Sequence, residues 1–218
     1  MKNSLRLLLA SFLCALALLV PGGAVKADEY YSIDDYLVKV EVTKDHTYKV
    51  EERISANFKE YRHGIYRYIP YRFPNMPDLF PKIENLKVSD YPYTAETSEY
   101  NGYRFLDIRI GDADKTVIGQ VEYRLSYDYL VGREPLSAGG HPSIRYNLMG
   151  NMETEINKAS FEITLPEGVD AEQIRFYRGA VDSSEEAEVD YLVSSSEGRT
   201  IITGQLEGTL YGYEYLTF

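Results

Sequence analysis

The chain has 218 residues, with 34 acidic against 23 basic side chains and a formal charge of −11. That balance excludes the phosphate backbone of a nucleic acid as a natural partner. A single cysteine, Cys14, excludes an internal disulfide and a thiolate metal cluster. Tyrosine is the other compositional signal: 21 Tyr and 8 Phe with no Trp suit half-buried strands, where the ring packs and the hydroxyl finds a polar partner.

In chain order, Lys2 and Arg6 precede an apolar run from Leu7 to Val20, followed by small residues around Ala24 and Ala27. This is the pattern of a signal peptide over residues 1–27, and it predicts an exported protein, extracytoplasmic, at the cell surface or secreted. The run is shorter than the roughly 20 residues a spanning helix needs, although an uncleaved anchor reaching Val25 is the alternative. Cys14 follows Leu13, whereas a lipoprotein signal wants a small residue there, so Cys14 reads as apolar filler. Cleavage after Ala27 would remove Lys2, Arg6 and Lys26 and no acid, leaving a thiol-free domain at 28–218.

From Tyr36 the apolar positions recur at every second residue through Val38, Val40 and Val42. Asp45 and His46 make a turn, and Tyr48, Val50 and Ile54 start a return strand that Glu51, Glu52 and Arg53 interrupt, which predicts an N-terminal hairpin. Prolines between Phe73 and Pro81 predict a loop or sheet edge. Strands are expected at Ile83–Val88 and Tyr91–Thr97, then a tight hairpin at Asn101-Gly102 leading to Leu106, Ile108 and Ile110. The longest alternation runs from Val117 to Tyr129, with Glu122, Arg124, Ser126 and Asp128 on the opposite face; it is expected as the central strand. Gly132–Gly140 reads as a long loop, able to divide two half-domains near 132–141. Asn147–Asn151 is expected as one helical turn, and Asp182–Glu188 as a solvated loop. Further strands are expected at Ser160–Leu165, Ile174–Tyr177, Tyr191–Ser194, Thr200–Thr203 and Tyr211–Phe218. The sum is an all-β fold, an antiparallel β-sandwich, immunoglobulin-like in general build. A lipocalin-like barrel would need more even loop lengths.

The segments Tyr31-Ser32-Ile33, Val50-Glu51-Glu52 and above all His63-Gly64-Ile65-Tyr66-Arg67-Tyr68-Ile69-Pro70 resemble the opening of a bacterial family of predicted membrane proteins known as domain of unknown function 2207. Tyr146–Asn151 lies where members carry an aromatic-tryptophan-asparagine segment, here without the tryptophan, and Leu165-Pro166-Glu167-Gly168 resembles the family's strand-ending turn. The resemblance implies the outer domain of a membrane-anchored protein, since members continue into transmembrane helices. It carries across no catalytic residue.

Two candidate sites follow from the residues. Arg62, His63, Gly64, Tyr66 and Arg67 concentrate guanidinium, imidazole and phenol groups in an acidic protein, which suits an anion or partner carboxylate; the alternative is arginines paired with the domain's own acids around a glycine turn. Tyr91, Tyr93, Tyr100 and Tyr103 form a candidate aromatic contact face, or else stabilise a hairpin by cross-strand pairing. No metal or cofactor is expected: His46, His63 and His141 have no ligand spacing. A serine triad from Ser137 or Ser143 with His141 lacks a nucleophile-elbow motif. The carboxylate pairs Asp34/Asp35 and Glu51/Glu52 point to opposite faces of a strand unless a bulge intervenes, and are expected as solvated surface. The functional expectation is an extracytoplasmic binding or scaffolding module for an envelope polymer or envelope protein. The alternative is an envelope-polymer hydrolase with carboxylates in a cleft.

Overall fold

The computed structural model describes residues 30–76, 79–131, 144–167, 169 and 174–218. The signal segment with Cys14, the Gly132–Gly140 loop, Ser137, His141 and Ser143 lie outside the described residues.

The described chain is all-β and sandwich-like, built on fourteen strands in three sheets. The largest sheet begins with the expected hairpin, β1 (Tyr31–Val42) and β2 (Thr47–Arg62), joined through a turn with His46 at φ 59°. Along β1, Tyr31 and Ile33 are buried, then Tyr36, Val38, Val40 and Val42. The parity changes because Asp34 is an extra residue relative to β2, a bulge that returns both halves of the apolar pattern to one face. β2 is continuous. Glu51, Glu52 and Arg53 do not break it, because Glu52 occupies an inward position between Val50 and Ile54 and is buried with them.

After β2 the chain leaves this sheet for β3 (Ile65–Arg72), then crosses the proline loop to β4 (Lys82–Ser89). β5 (Tyr93–Tyr100) and β6 (Tyr103–Ile110) form the Asn101-Gly102 hairpin, with φ of 51° and 82° at the two turn residues, both in the left-handed region this turn requires. β7 (Val117–Leu130) carries the long alternation, burying Tyr123, Leu125, Tyr127 and Tyr129. It is next to the edge rather than central: β4 pairs with its outer side, while the middle of the sheet belongs to β1.

The second half supplies β8 (Asn147–Gly150), β9 (Ala159–Leu165), β10 (Tyr177–Gly179), β11 (Glu185–Glu186), β12 (Val189–Ser196), β13 (Arg199–Leu206) and β14 (Tyr215–Thr217). The segment expected as a helical turn is the strand β8, because pairing with β14 lets Leu148 and Met149 be buried. β9 lies parallel to β1, Tyr36 facing Ala159 and Val40 facing Ile163, the one parallel pairing among otherwise antiparallel ladders of the described strands. The seven-stranded sheet therefore runs β12-β13-β9-β1-β2-β7-β4, drawing on chain from both sides of residues 132–143.

Two smaller sheets, β11-β10-β14-β8 and β3-β6-β5, cover its inner face. Ile65, Ile69, Ile108 and Ile110 from one, and Leu148, Leu216 and Phe218 from the other, join Tyr36, Val38, Val50, Phe161 and Ile163 in a single apolar core. The outer face carries ion pairs such as Lys39 with Glu162 at 3.4 Å and Arg199 with Glu41 at 2.9 Å.

Candidate functional site

The seven-stranded sheet and the β3-β6-β5 sheet meet at a corner made by two glycines. β2 passes into β3 through His63-Gly64, and β6 leaves the small sheet through Gly111 to reach β7. A Cβ on Gly64 (φ +133°) would stand 1.9 Å from the Ile110 carbonyl oxygen, and one on Gly111 (φ +141°) 1.8 Å from that of His63. Only glycine permits two backbones to cross so closely at these angles. His63 locks the crossing from the side: its Nδ1 lies 3.2 Å from the Asp112 carbonyl and 3.1 Å from that of Lys115. Both are acceptors, so Nδ1 carries the proton.

Beside this corner opens a surface recess of about 300 Å³. Arg62, His63, Gly64 and Tyr66 line it with Tyr31, Tyr61, Arg109 and Glu153. Tyr61 and Tyr66 are 70% and 40% exposed, and Tyr66 stacks on Tyr68 with ring centres 5.8 Å apart and planes 6° apart. Arg62 lies over the Tyr30 ring at 4.7 Å. Neither Arg62 nor Arg109 has a carboxylate within ion-pair distance among the described residues, unlike Arg53, Arg104, Arg124, Arg178 and Arg199. Glu153 accepts a hydrogen bond from the Tyr68 hydroxyl at 3.2 Å. The Tyr31 hydroxyl, in a ring 5% exposed, has no hydrogen-bond partner among the described residues. Burial first, then the nearby Glu153 carboxylate, raises its pKa, while Arg62 pulls the other way, so both charges act on this hydroxyl.

Arg67 is not in that recess. It points to the interior, 1% exposed, where Nε and Nη2 each donate to Glu52 at 2.9 Å. Nη1 donates to the carbonyls of Tyr68 at 2.7 Å and Gly150 at 3.1 Å. Tyr36 donates to the same carboxylate at 2.5 Å and Tyr127 at 2.7 Å, so Glu52 accepts four hydrogen bonds, its full capacity. Tyr127 spends its one proton there, so the 2.7 Å contact with Tyr146 is a donation from Tyr146. Burial, with Glu52 adding to it, pushes the Tyr36 and Tyr127 hydroxyls far up in pKa, so both are neutral donors. A guanidinium so occupied is unavailable to a ligand. Glu52, expected as solvated surface, is instead the buried counter-ion.

The four candidate tyrosines do not form one face. Tyr93 and Tyr100 sit at opposite ends of β5, an odd number of residues apart, and so on opposite sides of it. Tyr91 packs on Tyr123 at 4.9 Å, and the Tyr93 hydroxyl donates to the Leu86 carbonyl at 3.2 Å. Tyr100 faces Tyr103 across the hairpin, and Tyr103 reaches Asp182 with its hydroxyl at 3.0 Å. Asp34 and Asp35 do sit at a bulge, and both are engaged: Asp34 accepts from Gln120 at 2.7 Å, Asp35 meets Lys158 at 3.0 Å. Among the described residues no group of His, Cys, Asp or Glu is placed to hold a metal ion, and no helix is long and apolar enough to cross a membrane.

Tyr31, Arg109 and Glu153 are recess residues that sequence reading missed, Arg109 being the one that brings a second cation. The signal for Arg109 lay in pairing rather than in sequence: Tyr66 and Arg109 are direct cross-strand partners of β3 and β6.

Fold and corner define an all-β, sandwich-like domain with a polar and aromatic recess where its sheets meet. Residues 32–206 match the family model described as "Predicted membrane protein (DUF2207) N-terminal domain", and the chain belongs to that family. A search of curated proteins gives no match. Among solved structures the chain is similar to native leukotriene A4 hydrolase from Saccharomyces cerevisiae, at TM-score 0.48 and 9% identity, covering 86% of this chain and 28% of that one. It is also similar to a substrate-bound M1 zinc metallopeptidase from Deinococcus radiodurans, at TM-score 0.45 and 9% identity, covering 86% of this chain and 42% of that one. The chain thus spans less than half the length of either, and nothing of their chemistry is transferred to it.

Proposed function

We propose that this chain is the ligand-holding outer portion of a membrane-tethered protein, acting outside the cytoplasm by binding an envelope polymer or envelope protein. The observation that carries this reading is the recess at the sheet corner, where Arg62 and Arg109 lack carboxylate partners among the described residues and Tyr61 leaves most of its ring in water. A folding role alone would not leave cationic and aromatic groups grouped at a surface, since the protein has a surplus of acids to pair with them. Membership of a family described as membrane proteins supports the tethered setting. The Leu7–Val20 run with its flanking basic residues supports export.

The test is retention of solubilised envelope from the host on the immobilised protein, with a Tyr61→Ser/Arg109→Gln variant in parallel. The expected result is one enriched component, lost with the variant. Equal retention by both proteins would remove the recess from the function.

A further inference from the structure

The chemistry of the recess also defines what fits it; this step rests on the binding reading above. Two guanidinium groups, Arg62 and Arg109, border a cavity of about 300 Å³ that holds one carboxylate, Glu153. The local balance therefore favours an anion, and a guanidinium offers paired donors matched to a planar carboxylate. A bare anion would leave the other groups unused. Tyr61 and Tyr66 offer flat, exposed ring faces of the kind that cover the apolar face of a sugar. Glu153 is an exposed acceptor for ligand hydroxyls beyond its bond from Tyr68. The Tyr31 hydroxyl is sealed from water and stays outside the ligand contacts. The cavity is at the small end of ligand sites, about the size for one sugar unit, and it opens to the surface so that a chain could continue on either side.

We infer that the recess binds an acidic glycan, with the carboxylate of one uronic-acid-type unit held between Arg62 and Arg109 and its ring laid on Tyr61 or Tyr66. Arg67 takes no part. The corner glycines fix the geometry: Gly64 and Gly111 hold Arg62 at the end of β2 beside the β3–β6 pair that carries Tyr66 and Arg109.

Calorimetric titration of the protein with trigalacturonate tests this, with neutral trigalactose and a glycerol-phosphate oligomer as the other arms. Binding of the uronate is expected, with the neutral sugar weaker by about tenfold or more, the scale of a lost charge-assisted contact. Arg62→Gln and Arg109→Gln should each weaken the uronate by a similar factor, and Tyr61→Ser should weaken it too. All three positions are at least partly exposed, so melting midpoints should stay near wild type; an arginine variant that melts early is replaced by Arg→Lys at the same position, and Tyr61→Ser by Tyr61→Leu. Equal affinity for trigalactose, unchanged affinity in both arginine variants, or binding of the phosphate oligomer alone would overturn the inference. No uronate binding by the wild type would overturn it as well. If envelope capture still depended on Tyr61 and Arg109 in that case, the binding reading would stand and only the ligand class would fall.

Discussion

Arg67 and Glu52 meet in a two-pronged ion pair, 2.9 Å on each prong, with both side chains essentially sealed from water. Through it β3 is tied to β2, and through Gly150 to β8, so one guanidinium fastens all three sheets. Three of the segments on which the family resemblance rests, around Glu52, around His63–Pro70 and around Tyr146–Asn151, converge on this one cluster.

Losing either partner strands the other charge in the core, so Arg67→Met or Glu52→Met should destabilise by about 3–5 kcal/mol. The double variant Glu52→Met/Arg67→Met should cost less than the two single changes added together, because no uncompensated charge remains. Urea unfolding of the four proteins measures this, and additive losses would refute a coupled pair.

By contrast, the outer-face pair Lys39 and Glu162 is 47% and 38% exposed at 3.4 Å. Lys39→Ala should change stability by ~0–1 kcal/mol, and added salt should abolish even that. The same denaturation series, run at low and high salt, reads it.

Alkaline pH should unfold the protein cooperatively. Burial raises the hydroxyl pKa of Tyr36, Tyr48, Tyr127, Tyr129 and Tyr146 above the ordinary 10.0. A group whose folded pKa is raised stabilises fully below its unfolded pKa, and that contribution drains away as pH climbs toward the folded value. Stability should therefore be level up to about pH 10 and fall above it. Tyrosinate absorbance should rise together with loss of β-sheet dichroism; ionisation of these rings in an intact fold would contradict the packing described.

Gly64→Ala should be severe, since its Cβ would fall 1.9 Å from a backbone oxygen that cannot swing aside. Gly119, at φ +76° with open space around it, gives the comparison. Gly119→Ala should cost only the strain of a left-handed residue, about 1 kcal/mol, and Gly64→Ala several times more. Thermal melts of the two variants settle the order.

The sequence made some of this legible. The Asn101-Gly102 turn and the inward tyrosines of β7 follow from local rules, since turn chemistry and period-two burial act over a few residues. The same period held the answer for the charges. Arg67 stands between Ile65 and Ile69, and Glu52 between Val50 and Ile54, so opposite charges lie at inward positions of two strands. Arg67 thus follows the alternative of pairing with the domain's own acids, and parity is what separates it from Arg62. The bulge at Asp34 hid the first turns of β1 by shifting its phase. The place of Asn147–Gly150 in a sheet and of Arg109 in the recess depended on partners distant in sequence, Tyr215–Thr217 and Tyr66. No local pattern encodes these.

The parallel seam between β1 and β9 sets a timetable for assembly. During synthesis the N-terminal hairpin can zip early, yet one flank of β1 stays unoccupied until Ala159–Leu165 has emerged, more than a hundred residues later. Such distant pairing makes for slow folding, and a bare strand edge invites adhesion to other chains in the interval. A nascent polypeptide ending before β9 should accordingly aggregate, and only the arrival of that strand covers the sticky flank of β1.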